Sequence, residues 1–287
     1  MSILRIATRA SRLALTQARS VAIALEAAHP GLETELVEMT TTGDTNRHSP
    51  VAALTEVGAF VRAVQQAVLD GFAGVAVHSC KDLPVTGPTE LGVVYPERES
   101  PWDVLVGSTL TELPEGATVG TGSPRRSSQL SLLRPDLDIA EIRGNVDTRI
   151  EKVQRGEYAA VVLAEAGLSR LGRADEVAQR FTVDEMVPAP AQGALAVEAL
   201  RDGPWWQPLN AIDHPLSRAG VEIERELLRR TGAGCRSALG ATAGIGSDGT
   251  WAVAFVDDAK GPRRAAVTGV TAESVVDQLI ARLGMPE

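Results

Sequence analysis

Apolar positions in this 287-residue chain switch repeatedly between two periods. Near the start, "ILRIAT" is a short apolar run that predicts a strand. "SRLALTQARSVAIALEAAH" then sets Leu13, Ala14, Ala18, Val21, Ala22 and Leu25 on one face of a helix that stops before Pro30 and Gly31. "TELVEM" alternates as a strand does, "FVRAVQQAVLDG" is a helix closed by Gly71, and "GVAVHS" is a buried strand. The alternation resumes in the middle with strand "ATVGTG", helix "PRRSSQLSLL", strand "DIAEIR", helix "VDTRIEKVQRG" and strand "AAVVLA". Strands and helices taken in turn predict an α/β protein with mostly parallel sheets.

Two segments rich in Pro and Gly interrupt the pattern, "YPERESPWD" near 95–103 and "MVPAPAQGA" near 186–194. Two crossings between two α/β units predict a two-domain clamp with a cleft, and "ALAVEAL" is expected to return to the first sheet. A third unit follows: helix "PLSRAGVEIERELLRRTG", strands near "ALGATAGI", "TWAVAFV" and "RRAAVTG", and helix "AESVVDQLIARLG".

Composition narrows the class. Aromatic residues are only 3% and the net charge is −9, a poor match to base stacking or to an anionic polymer or membrane surface. Two cysteines, Cys80 and Cys235, make no disulfide framework and fit a reducing compartment. The N-terminus has no long apolar region and no stretch reaches the length of a membrane span, so a cytoplasmic protein is expected.

Against the acidic balance, cations collect at strand-to-helix junctions. In "GTGSPRR", Ser123 fits a helix N-cap and Pro124 the first helical position, so free backbone amides and Arg125 and Arg126 favour an anion. "RGNVDTR" repeats the device with Arg143 and Arg149 around the Gly144-Asn145 turn. Arg9 follows the first strand, and Arg170 lies in "AGLSRLG". Any one of these alone reads more readily as a solvated surface residue. Together, at the carboxyl ends of strands, they point to a polycarboxylate or phosphate ligand. "AVHSCKDLP" runs off a strand into Lys81 and Asp82, a carboxylate placed to hold a nitrogen base or a structural turn. His29, His48, His78 and His214 show no metal spacing, and His78 is read as part of its strand. Cys235 sits in "GAGCRSALG", where small neighbours leave room beside the sulfur; an ordinary turn cysteine is the alternative.

Taken in order, "RIATRAS", "AVHSCKDLP", "VGTGSPRR", "IRGNVDTR", "AGLSRLG", "PAPAQGALAVE" and "GAGC" resemble the porphobilinogen deaminase (hydroxymethylbilane synthase) family over about residues 3–240. The resemblance implies an α/β fold. Two periplasmic-binding-protein-like domains form a cleft, with domain 1 at 1–97 and 194–212 and domain 2 at 98–193. A smaller C-terminal α/β domain, 213–287, carries the cofactor cysteine. It implies a transferase of tetrapyrrole and haem biosynthesis that condenses four porphobilinogen molecules head to tail, with loss of ammonia, to hydroxymethylbilane. By the same resemblance Cys235 carries a covalent dipyrromethane cofactor through a thioether, Asp82 is the catalytic carboxylate, and Cys80 is packing. Arg9, Ser11, Lys81, Ser123, Arg125, Arg126, Arg143, Arg149, Arg170 and Gln192 match the positions that bind cofactor and substrate. The expected partner is porphobilinogen alone, with no nucleic acid, membrane or metal, and the protein is expected to be a monomer. The rival is an inactive paralogue of the same architecture, an anion-binding clamp or sensor.

The chain departs from the family in places. Where many members have a lid rich in Gly and Lys, it reads "ALTEVGAFVR", with Glu56 near a familiar Lys position. This short lid is expected to close through Val57, Ala59 and Phe60, with Gly58 giving flexibility and Glu56 facing solvent. Ala238 stands where a proline is common.

Overall fold

The computed structural model describes residues 3–39, 52–233 and 237–286. It divides into two compact units, Met1–Arg98 with Ala194–Arg218, and Glu99–Gly193 with Ala219–Glu287.

The first unit is built on a five-stranded sheet. Strand β1 (Leu4–Arg9) leads into helix α1 (Arg12–Ala28), then β2 (Thr34–Met39), α2 (Ala52–Leu69), β3 (Val75–Ser79) and β4 (Leu91–Val94). The last strand to join, β10 (Leu195–Leu200), inserts antiparallel between β3 and β4, giving the order β2-β1-β3-β10-β4. β1 pairs in parallel with both β2 and β3. Ile6, Val75, Val77 and Val197 pack against Ala18, Val21 and Leu25 of α1. Ala7, Ala76 and Leu91 pack with Val64, Ala67 and Val68 of α2. The two helical stripes are those that a 3.6-residue period requires.

α2 begins eight residues before Phe60, where the sequence places the start of its helix, so the segment expected as a lid loop is the first half of a continuous helix. Apolar residues at 60, 61, 64, 67 and 68 form one face, and a single interior glycine, Gly58, costs only about 1 kcal/mol. Phe60 is buried in this unit. The side chains of Glu56 and Val57 lie outside the described residues.

The second unit carries a sheet of the same plan. It comprises β5 (Asp103–Val106), β6 (Thr118–Gly120), β7 (Asp138–Ala140), β8 (Ala160–Ala164) and β9 (Val177–Arg180), in the order β7-β6-β8-β5-β9. β6 is parallel to β7 and β8, while β5 runs antiparallel to β8. Helices α3 (Pro124–Leu133), α4 (Val146–Gln154) and α5 (Glu165–Arg170) follow β6, β7 and β8, and a short helix, α6 (Trp206–Leu209), belongs to the first unit. The second unit also holds an antiparallel sheet of β11 (Ala238–Gly246), β12 (Gly249–Asp258) and β13 (Gly261–Gly269). Helices α7 (Pro215–Thr231) and α8 (Ala272–Leu283) cover its apolar face through Ile223, Leu227, Val275, Val276 and Leu279. The α/β class and the pair of like-built sheets are those expected of the periplasmic-binding-protein-like pair, with a smaller α/β layer at the C-terminus.

β11 docks within its own unit. Ala241 donates its amide to the Pro188 carbonyl at 2.9 Å, and the Ser128 hydroxyl of α3 donates to Asp257 at 2.6 Å. A side chain at Gly240 would meet the Val187 carbonyl at 2.6 Å, so this close approach requires glycine. The buried Glu224 of α7 accepts from the amides of Ala191 and Ala243, tying the 188–193 turn to β11. Ala191 adopts a left-handed φ of 61°, which that carboxylate helps to hold.

Candidate functional site

In both units the chemistry-bearing residues gather past the carboxyl ends of parallel strands, where open α/β sheets bind ligands. In the first unit Arg9 closes β1, Ser11 caps α1, and Lys81 and Asp82 lie in a single turn after β3. Ser11 Oγ accepts from the Ala14 amide at 3.3 Å, which leaves its O–H free to donate outward. Arg9 lays its guanidinium 4.4 Å over the Phe60 ring, and its buried Nε has no hydrogen-bond partner among the described residues. A buried cationic donor without an acceptor is costly, and an incoming carboxylate would supply one. Asp82 is half-buried, and its carboxylate has no side-chain partner among the described residues. Arg9, Ser11, Gln17, His78, Ser79 and Asp82 line a cavity of about 100 Å³. Gln17 and Ser79 exchange hydrogen bonds at 2.9 and 3.1 Å across its wall. The sequence reading missed that pair because its members stand 62 residues apart.

In the second unit Asp103, the first residue of β5, is the hub. It is fully buried and accepts from Arg125 Nη1 at 2.7 Å, from Arg126 Nε at 2.9 Å and Nη2 at 2.6 Å, and from Gln192 Nε2 at 3.0 Å. Burial alone would push its carboxyl up, but the two guanidiniums overcome this and hold it far below the usual carboxylate range. Arg126 spends its Nη1 on the Val162 carbonyl at 3.0 Å, so all three of its nitrogens are engaged inside the unit. Arg125 also donates to the Val187 carbonyl at 2.7 Å. Two cations share one carboxylate, which leaves a cationic surplus beneath the start of α3.

Above that surplus, Ser123 takes the N-cap position of α3 with Pro124 at the first turn, as the sequence predicts. Its hydroxyl makes no capping bond, so the amides of Arg125 and Arg126 keep the open character of a helix N-terminus. Arg149, in the first turn of α4, donates through Nε to the Gly144 carbonyl at 2.8 Å. Its two Nη groups make no hydrogen bond among the described residues. Burial, with the like charge of Arg126 behind it, lowers the Arg149 pKa. Arg170 ends α5 and donates to the Gly193 carbonyl at 2.7 Å; burial lowers its pKa against the opposing pull of Glu99. Arg143 differs from the others: it is exposed and paired with Glu141 at 2.8 Å. Cys235 lies outside the described residues. The strand that follows it, β11, passes Gly240 against the Arg125 side chain.

The sequence singles out Arg125, Arg126 and Gln192 but not the carboxylate that collects them. Asp103 stands in a Pro-rich crossing with no local signal of its role. Asp103→Asn is expected to leave two buried guanidiniums sharing a neutral amide, a loss of about 3–5 kcal/mol and a fall in melting temperature of roughly 10 °C. Because its folded pKa is depressed, the carboxylate contributes fully above the ordinary Asp pKa of about 4 and loses its effect only as acid carries the pH far below that. An unchanged melting temperature in the variant at neutral pH would show that the hub is dispensable.

The family model for the porphobilinogen deaminase, dipyromethane cofactor binding domain, matches residues 4–206. The chain belongs to the porphobilinogen deaminase family. Porphobilinogen deaminase of Acidothermus cellulolyticus is 46% identical over 270 residues, covering 91% of this chain and 81% of that protein. Porphobilinogen deaminase 1 of Streptomyces coelicolor is 44% identical, with 99% and 89% covered. A probable porphobilinogen deaminase of Methanopyrus kandleri is 45% identical, with 83% and 81% covered. Among solved structures the chain is similar to substrate-binding domain 2 of Lactococcus lactis GlnP in its open conformation. That likeness has a TM-score of 0.44 at 11% identity and covers 81% of this chain and 91% of that one. Membership of the porphobilinogen deaminase family makes the chain a transferase of tetrapyrrole biosynthesis that uses a dipyrromethane cofactor. Among the described residues no helix is long and apolar enough to cross a membrane.

Proposed function

We propose that this chain condenses four porphobilinogen molecules head to tail into hydroxymethylbilane, with Asp82 as the catalytic carboxylate and Cys235 as the point of cofactor attachment. The observation that carries this reading is Asp82 itself: a half-buried carboxylate with no side-chain partner among the described residues, lining a small polar cavity at the end of β3. A carboxylate kept free of ion pairs is available to a cationic or N–H-bearing substrate. The residues also fit a polycarboxylate cofactor. Arg9 carries an orphaned buried donor, Ser123 leaves its helix end uncapped, and Asp103 neutralises only one of two guanidiniums.

The dipyrromethane, joined to Cys235 Sγ by a thioether, supplies the rings to which substrate rings are added. Asp82 holds the substrate's pyrrole N–H and stabilises the positive charge that spreads onto that nitrogen as ammonia departs. Arg9, Ser11 and Lys81 in the first unit bind acetate and propionate groups. So do Ser123, Arg125, Arg143, Arg149 and Arg170 in the second. Arg126 and Gln192 act from behind, by charge and by holding Asp103 and the 101–103 backbone in place. The protein works as a monomer in the cytoplasm. Nothing in the site calls for a side-chain nucleophile, since the pyrrole carbon itself attacks.

Intact-protein mass spectrometry with limiting porphobilinogen tests the reading through the ladder of ring adducts. Arg149→Leu removes two unengaged Nη groups and is expected to slow turnover about 10- to 100-fold, the value of one or two hydrogen bonds to charge. The adducts should pile up at an intermediate length. Arg143→Leu should shift the ladder less, because Arg143 already has Glu141. A native protein that never gains pyrrole mass, or an Arg149→Leu ladder identical to native, would overturn the respective parts of the proposal.

A further inference from the structure

Behind the Asp82 cavity lies a buried polar cluster that the reaction as described does not use. His78, on β3, is 6% exposed, Glu198, on β10, 6%, and Gln65, on α2, 4%. The two strands pair antiparallel with Ala196 opposite His78 and Glu198 opposite Ala76, which brings residues 120 apart in sequence side by side on one face. Gln65 Nε2 donates to both oxygens of Glu198, at 3.2 and 3.0 Å. Glu198 Oε2 lies 3.1 Å from His78 Nε2, although the approach is bent off the hydrogen-bond line. An acidic side chain buried in an aliphatic core needs compensation, and the amide supplies only part of it. Among the described residues the imidazole is the other group placed to do so. His78 also lines the cavity shared with Asp82, which has room for roughly three water molecules.

We infer that His78, oriented by Glu198 and Gln65, is the proton acceptor of this cavity. This rests on the condensation proposed above. When a new ring is joined, a carbon–carbon bond forms at a pyrrole carbon that still bears hydrogen. That C–H bond then breaks, its electron pair restores the aromatic ring, and the proton must leave. His78 takes it, directly or through one cavity water. The Glu198 carboxylate balances the imidazolium charge, and the proton passes on to solvent before the next addition. Asp82 is thereby relieved of the acceptor's task and keeps the negative charge that holds the pyrrole N–H. Among the described residues, the charged groups that line the cavity with His78 are Arg9 from β1 and Asp82 from the turn after β3, and Glu198 from β10 lies beside its Nε2. α1 and α2 present the uncharged Gln17 and Gln65.

Two measurements test the assignment. The first does not depend on turnover. The chain has only four histidines, so ¹⁵N-histidine NMR can follow His78 singly. Its ring is expected to be held in the tautomer with the proton on Nε2, and Glu198→Gln should release that preference whether or not cofactor is attached. A His78 signal indifferent to Glu198→Gln would remove the orienting pair. The second is kinetic. His78→Gln should lower kcat by about 100-fold with KM little changed. It should also expose a primary isotope effect with porphobilinogen deuterated at the free α-position, one that the native enzyme lacks. His78→Asn serves the same purpose if the glutamine variant does not fold. Turnover near native with no isotope effect in a folded variant would overturn the role of His78 alone. A native protein inert to porphobilinogen would instead overturn the condensation and this inference with it.

Discussion

Cys235→Ala is expected to give a protein whose mass is that of the bare polypeptide and whose turnover falls below detection. The chain has two thiols. Cys80 is fully buried in the turn after β3, with its backbone amide bonded to the Ala194 carbonyl at 3.0 Å, so it has no access to a large group. The other thiol, Cys235, follows Gly234 and stands three residues ahead of β11, the strand that packs on Arg125, and is the proposed attachment point. The loss should be complete, because an attachment point cannot be replaced by weaker binding of the same group. The variant should also melt at a lower temperature than the loaded protein. A ligand that binds only the folded state stabilises it, and here the ligand also neutralises clustered cations. Cys80→Ala, by contrast, should keep its cofactor mass. A Cys235→Ala protein that still carries pyrrole mass, or still makes hydroxymethylbilane, would refute the attachment.

Asp82→Asn is expected to fold, load cofactor and lose turnover by at least about two orders of magnitude, the usual effect of removing a fixed stabiliser of developing charge. Folding should be spared for a specific reason. The Asp82 carboxylate has no side-chain partner among the described residues, so its removal orphans nothing, and the change in stability should stay within about 0.5 kcal/mol. This sets it apart from Asp103→Asn, where stability itself is the first casualty. Intact mass, the melting curve and the steady-state rate, measured on the same preparation, separate the two cases. A rate close to native in loaded, folded Asp82→Asn would take Asp82 out of the chemistry.

The two acids show how far a local reading reaches. Asp82 is legible because its surroundings are consecutive: a buried strand, a Lys, the Asp and a Pro two residues on. Asp103 is not, because its partners stand 22, 23 and 89 residues away and nothing nearby marks it. The same division runs through the arginines. Their positions at strand-to-helix junctions follow from periodicity, and α3 runs over Pro124–Leu133 as its pattern requires. What each guanidinium touches does not follow. Arg126 is committed on every nitrogen, Arg143 faces solvent beside Glu141, and Arg9 rests on an aromatic ring with its Nε unmet.

Elements that depend on neighbours in sequence were therefore readable along the chain alone: the α/β class, the helices with clean apolar stripes, the N-cap at Ser123 and the ordered motifs that mark the family. Backbone periodicity and capping act over a few residues, and their signals survive without the fold. The continuous start of α2 was hidden because a glycine and a threonine lower local helix propensity, while packing of Val64, Ala67 and Val68 on the sheet restores it. Pairings across the sheet needed the tertiary structure, since burial decides which charges must find partners and topology decides which partners are within reach. Glu198 meets His78 only because β10 inserts beside β3, and Asp103 meets Arg125 and Arg126 only because β5 starts beneath α3.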